Sequence, residues 1–129
     1  MDEIFNEETG TWETVYETYD IYQLKLKVRI TVEKGIIPIK RTGDLYVALL
    51  SDEEILWRER QGETPEEYIV SYARARDLVF PIEVPYQEEI VIIRDLALGK
   101  TQKVPKSWNV FALAKVGYFT DYKKVSFTV

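Results

Sequence analysis

Apolar and polar residues alternate without a break from Tyr22 to Val32. Because successive side chains of a β-strand point to opposite faces, this alternation predicts a strand over residues 20–33 with one apolar face and one face in water. Three cationic residues lie on the water-facing side, and we call them the basic ridge: Lys25, Lys27 and Arg29.

Shorter apolar runs of strand length follow along the chain. They occupy residues 36–40, 45–50, 78–84, 89–94, 108–116 and 122–129. Residues 12–19 are rich in Thr and aromatic side chains, which also favour strands. Turn residues separate the runs at intervals of roughly ten residues, which is typical of antiparallel sandwiches. We therefore predict an all-β fold built as an antiparallel two-sheet sandwich, with a hairpin turn at 85–88 and a loop over 96–106.

The last two runs, 108–116 and 122–129, enclose residues 117–121 and predict a closing hairpin. Val125, Phe127 and Val129 are predicted to point inward, whereas Lys124, Ser126 and Thr128 are predicted to face water. This hairpin resembles the final strand pair of immunoglobulin-like and fibronectin-like domains. The resemblance implies an immunoglobulin-like sandwich and concerns architecture alone, because the Cys…Trp…Cys signature is absent and no functional residue transfers.

Residues 51–77 allow two interpretations. Ser51 to Glu54 and Thr64 to Glu67 both fit the helix capping box, and Pro65 suits a first helical position. The first of these segments also fits a turn, and we predict a hairpin over 45–60. For 65–76 strand and short helix stay open, so the alternative fold is α+β with one or two short helices within 51–77.

Charge is distributed unevenly over the 129 residues. Residues 1–20, which we call the acidic arm, carry a net charge of −7 and no Lys or Arg, whereas the remaining residues carry +2 within a total of −5. We predict an acidic flexible tail over 1–11 and a single β-sandwich domain over 12–129. Nucleic acid is not favoured as a partner, because phosphate binding needs a strongly basic face.

The chain contains no Cys and no His. This excludes Cys/His zinc sites and the Ser-His-Asp and Cys-His types of catalytic site. Acidic pairs recur along the chain, but they occupy positions where turns and helix starts favour carboxylates. We therefore predict no catalytic residue, no metal site, no cofactor and no enzymatic activity.

Aromatic residues are abundant, with 9 Tyr, 5 Phe and 3 Trp. Most are expected in the core, where their burial is worth most, and Tyr22, Phe111, Phe119 and Phe127 are predicted there. The aromatic residues on the acidic arm are candidates for contact with a partner. Together with the arm's acids and the basic ridge, the predicted partner-binding set is Trp12, Glu13, Tyr16, Glu17, Tyr19, Lys25, Lys27 and Arg29.

The predicted function is a non-enzymatic protein-interaction or assembly module that engages partners through its acidic arm and sheet edges. Glu13 and Glu17 of the arm are predicted to dock onto the basic ridge, in the same chain or in a neighbour. The alternative is a carbohydrate- or surface-recognition domain that uses exposed aromatic residues such as Trp12 or Trp57. A protein partner or self-association is expected. No signal peptide or membrane-spanning segment is visible, so a cytoplasmic or virion-associated location is favoured. Abundant charged residues and few Asn and Gln suggest a thermophilic source, archaeal or viral.

Overall fold

The computed structural model describes residues 2–6, 11–15, 20–31, 41–85, 88–100 and 106–129. Eight strands and two helices lie within these ranges. In chain order they are β1 Asp2–Asn6, β2 Thr11–Val15, β3 Asp20–Thr31, β4 Arg41–Ser51, α1 Asp52–Arg60, α2 Pro65–Ala75, β5 Val79–Val84, β6 Glu89–Lys100, β7 Ser107–Val116 and β8 Phe119–Thr128. The protein is therefore mostly β, with antiparallel sheets and two short helices.

The described residues fall into two compact units. The first holds β1, β2, the part of β3 up to Leu26 and the part of β6 from Arg94. Strands β1 and β2 form an antiparallel hairpin in which Phe5 lies opposite Trp12 and Ile4 opposite Glu13. Residues 1–11, expected as a flexible acidic tail, thus contain a paired strand.

Strand β3 pairs with β6 in a two-stranded sheet. The alternation predicted for β3 is confirmed: Lys25 and Lys27 are exposed, Val28 is half-buried and Ile30 is buried. Two predictions near β6 are wrong. Strand β6 continues to Lys100 where a loop was expected from residue 96, and β5 pairs with β4 instead of forming a hairpin with β6. The predicted segment 36–40 lies outside the described residues.

The second unit contains a four-stranded antiparallel sheet in the order β5-β4-β7-β8. Its two central strands carry the core, since Leu45, Val47, Leu50 and Leu113 have no exposed surface. This confirms the buried strand predicted over 45–50. The closing hairpin is confirmed as well, with Val116 opposite Phe119 across the two turn residues. Gly117 has a φ of +59°, which suits the first turn position of a two-residue hairpin loop.

Helix α1 begins where a hairpin turn was expected, so the hairpin predicted over 45–60 is wrong. The Ser51 side chain accepts a hydrogen bond of 3.2 Å from the Glu54 backbone N–H, which caps the helix. Three acidic residues lie in the first turn, where their negative charges interact favourably with the positive end of the helix dipole and stabilise the helix. Local capping therefore decides the conformation, because no residue of α1 is buried.

Helix α2 settles the open question over 65–76 in favour of helix. Thr64 and Glu67 form a complete capping box and Pro65 begins the helix. One stripe of the helix is buried, consisting of Tyr68, Ile69, Tyr72 and Ala73. This spacing places the four side chains on one face, which α2 packs against β4 and β7.

The register assigns side chains to two faces of the sheet. One face, the helix face, carries Tyr46, Phe111 and Tyr122, and the Tyr68 ring of α2 meets Phe111 edge-on at 5.8 Å. The other, the far face, carries Leu45 and Val47 on β4, which have no exposed surface. Both faces of the central strands are therefore covered.

Candidate functional site: exposed sheet edges

The basic ridge is exposed as predicted. Arg29 Nη1 lies 3.5 Å from Glu89 Oε1 of β6, and the two side chains are 64% and 40% exposed. Such an exposed ion pair contributes little, about 0–1 kcal/mol. For Lys25 and Lys27, the described residues provide no ion-pair partner. Among the residues that the structure describes, the acidic group at the ridge is therefore Glu89 of the neighbouring strand β6.

The arm is described in part. Trp12 and Glu13 lie in β2, whose backbone is paired with β1. Tyr16, Glu17 and Tyr19 lie outside the described residues. The docking of the arm onto the basic ridge stays a prediction, and at least one edge of β2 is already occupied by β1.

Strand β8 lies at one edge of the four-stranded sheet, and within the described residues it pairs with β7 alone. It is ten residues long and contains neither Pro nor Gly. Three of its large side chains are exposed: Phe119 at 71%, Tyr122 at 42% and Val125 at 65%. An edge strand of this kind presents unpaired N–H and C=O groups and is a template for pairing with another chain.

The opposite edge of the same sheet differs in each of these respects. Strand β5 has six residues and contains Pro81, which has no N–H to donate. Ile82 and Val84 of β5 are buried. Of the two edges, β8 is the one suited to accept an additional strand.

Side chains alternate along β8 in a pattern that matters for recognition. Phe119, Asp121, Lys123 and Val125 lie on the far face, because their β7 partners alternate with those of the helix face. The exposure of Phe119 and Val125 contrasts with the full burial of Leu45 and Val47 on the same face. The cover of the far face therefore ends before β8 and leaves two apolar and two oppositely charged side chains in water.

The sequence pattern does not reveal this edge, because it predicts Phe119 in the core and a last strand that begins at Tyr122. The predicted burial of Phe119 and the inward position predicted for Val125 are wrong, because these side chains are 71% and 65% exposed. The predicted burial of Phe111, which is 2% exposed, is confirmed. The two-residue turn at Gly117 and the alternation that starts at Phe119 were the available signals. The order of strands in the sheet depends on tertiary packing, and no local pattern shows it.

Apart from the sheet edges, the structure has a shallow groove of about 860 Å³ beside α2. Glu66 of α2 and Lys115 of β7 pair across it at 2.7 Å, and the Arg74 guanidinium lies 5.9 Å from the centre of the Tyr46 ring. Its charged groups therefore have partners within the fold. Among the described residues no cluster of three or more potential metal ligands occurs.

Two phenols, those of Tyr68 and Tyr72, lie on the buried face of α2. Desolvation raises the pKa of Tyr72, and the Arg76 guanidinium, 3.9 Å from the centre of its ring, opposes that shift. Desolvation also raises the pKa of Tyr68, with Glu59 adding to the effect. Both phenols stay neutral at physiological pH and serve as packing groups.

Comparisons with known proteins give no information on function. No protein-family model, curated protein or solved structure matches the chain. No helix in the described part of the chain has the length and apolar character needed to cross a membrane.

Proposed function

We propose that the chain is a non-enzymatic protein-interaction or assembly module that engages its partner through a sheet edge. The observation that supports this most is the β8 edge, which is long, free of proline and leaves the apolar side chains of Phe119 and Val125 exposed. Strand addition to such an edge gains backbone hydrogen bonds, and the side chains of the edge provide specificity.

The energetic basis is the apolar surface that β8 leaves in water. Covering a Phe or Val side chain completely is worth about 1.5–3 kcal/mol, and Phe119 and Val125 retain 71% and 65% of their surface. Isolated exposed apolar residues are common on proteins, but these two share one face of one edge strand. The acidic arm and the basic ridge would steer association rather than provide its affinity.

We also propose that the second layer of the fold is that of an immunoglobulin-like sandwich. The support is the complete burial of Leu45 and Val47 on the far face, since a covering layer is needed to exclude water from them. The edge proposal does not depend on this assignment.

The test is a sedimentation-velocity series on the full chain over a range of concentrations and at low and high salt. Val125→Lys adds a charge to the exposed edge without disturbing the core, and we expect it to weaken association. Val91→Lys is the matched control, because Val91 is an exposed valine of β6. If the wild type associates and Val125→Lys associates equally, the edge is ruled out.

The contribution of the arm is tested in the same series by removing residues 1–19. Loss of association, or of its salt dependence, is expected if the arm takes part. An unchanged mass and salt dependence would remove the arm from the proposal and leave the edge.

A carbohydrate- or surface-recognition domain is the second candidate, and exposed Trp57 favours it. The Trp57 side chain on α1 is 56% exposed, and the Arg58 guanidinium lies 5.5 Å from its ring centre. An exposed indole can stack on a sugar ring. Binding on a glycan array that is lost in Trp57→Ala would support this function, and an array without binding would exclude it for the glycans presented.

A further inference from the structure

We propose that the partner of β8 is a second copy of the same chain, paired antiparallel with its own β8 about a two-fold axis through Tyr122. This inference rests on the proposed function and names the partner of that edge. It is drawn from the order of charged and apolar side chains along the strand.

The symmetry of such a pair restricts which residues meet. In an antiparallel pair related by a two-fold axis perpendicular to the sheet, the residue at the axis lies opposite its own copy, and residues equally far before and after it lie opposite each other. With Tyr122 at the axis, Asp121 lies opposite the Lys123 of the second copy, and Lys123 opposite its Asp121. Phe119 and Val125 meet in the same way, also twice.

These pairings agree with the faces seen in the structure. Phe119, Asp121, Lys123 and Val125 all lie on the far face, and all four are exposed. Directly opposed side chains approach to about 4.5–5.5 Å between Cβ atoms, close enough for ion pairs and apolar contact. The edge therefore presents a surface that is complementary to itself in both charge and hydrophobicity.

Neighbouring registers lack this complementarity. With Asp121 at the axis, the two copies of Asp121 oppose each other, and Phe119 lies opposite Lys123. With Lys123 at the axis, two lysines oppose each other, and Asp121 lies opposite Val125. Like charges directly opposite each other destabilise a strand pair, so the register centred on Tyr122 is selected over both.

The same arrangement closes the four-stranded sheet at two copies. The pair uses both β8 edges of this sheet, and its remaining edge in each copy is β5, where Pro81 interrupts strand addition. A two-fold interface of this type is isologous and does not propagate into a fibre.

Charge exchange tests the register. Asp121→Lys and Lys123→Asp each place like charges opposite each other, so each variant alone should dimerise at least about tenfold more weakly than the wild type. An equimolar mixture of the two variants places opposite charges together again, and so does the double variant. We expect both to recover dimerisation. Circular dichroism checks that each variant is folded, since both side chains are exposed in the monomer.

Disulfide trapping tests the axis directly, because the chain has no cysteine of its own. Residues at the axis have Cα atoms about 4.5–5.5 Å apart, within the range of a disulfide. Tyr122→Cys should therefore form a disulfide-linked dimer under mild oxidation. Thr120→Cys is the control, since in this register it lies four positions from its own copy, about 13 Å away, and should remain monomeric.

Failure of the inference and failure of the proposed function give different results. If Val125→Lys weakens association but the mixed charge variants do not recover and Tyr122→Cys is not trapped, the edge binds something other than a second copy in this register. The inference is then overturned and the proposed function stands. If Val125→Lys associates as the wild type does, the edge itself is excluded. If the wild type sediments as a monomer at every concentration, the inference that the partner is a second copy is overturned.

Discussion

Asn109 of β7 donates a hydrogen bond of 2.7 Å from Nδ2 to Oδ1 of Asp52, the first residue of α1. The same amide nitrogen donates to the Leu50 carbonyl at 3.2 Å, and the amide oxygen accepts from Ser126 Oγ of β8 at 2.7 Å. The Asn109 side chain, which is 2% exposed, thereby links β7 to both neighbouring strands, β4 and β8, and to helix α1. Each of these bonds contributes to stability, because a buried polar group without a partner is costly.

Asn109→Leu should lower the free energy of unfolding by about 1–3 kcal/mol, since it removes three hydrogen bonds and leaves the Ser126 hydroxyl without its acceptor. Urea denaturation followed by circular dichroism measures the loss. Ser126→Ala is the graded control: it removes one of the three bonds at an exposed position, so its effect should be smaller. Equal stability of Asn109→Leu and the wild type would show that the linkage adds nothing.

Thr64→Ala should destabilise α2 by about 1 kcal/mol, because the Thr64 side chain accepts a hydrogen bond of 3.3 Å from the Glu67 backbone N–H. Thr64→Ser keeps the hydroxyl and should retain most of the stability. Thermal unfolding of the three proteins compares them directly. A loss in Thr64→Ser as large as in Thr64→Ala would assign the effect to the methyl group instead of the cap.

The two helices show which features local sequence reveals. The sequence pattern of a cap was recognised at both helices, yet a hairpin was predicted at α1, because α1 buries no residue and so has no apolar stripe. In α2, Tyr68, Ile69, Tyr72 and Ala73 form such a stripe, but their aromatic and β-branched neighbours also favour strand. A short helix that rests on its caps is therefore hard to distinguish from a turn.

For the strands, the local sequence predicts where a strand lies but not which strands pair or which side chains are buried. The alternation over 22–32 identified β3 because side-chain direction in a strand follows from local geometry. The exposure of Phe119 was not foreseen, because burial at this position depends on whether another strand lies beside β8. Pairing between β4 and β5 instead of β5 and β6 is likewise set by tertiary contacts.

Gly43→Ala should destabilise the sheet by about 1–3 kcal/mol, the usual cost of overpacking. Gly43 lies opposite Val116, and a Cβ at this position would overlap the backbone carbonyl oxygen of Lys115. The obstacle is backbone and not a flexible side chain, so a rotamer change does not relieve it. Gly62→Ala is a control without such an obstacle, although its φ of +82° disfavours a side chain. Chemical denaturation of both variants separates steric overlap from backbone strain, and a fully stable Gly43→Ala would mean that β7 moves aside freely.

Stability should fall at alkaline pH through Tyr68 and Tyr72. Desolvation raises the pKa of both phenols in the folded state above the ordinary value of 10.0, so the unfolded chain loses these protons first. A raised folded-state pKa gives stability that is fully present below pH 10.0 and is lost as pH rises through the folded value. Tyr72→Phe removes one of the two groups and should flatten the decline. Urea denaturation from pH 8 to 11.5, with phenolate absorbance recorded in parallel, measures both effects; an equally steep decline in Tyr72→Phe would assign the pH dependence to other groups.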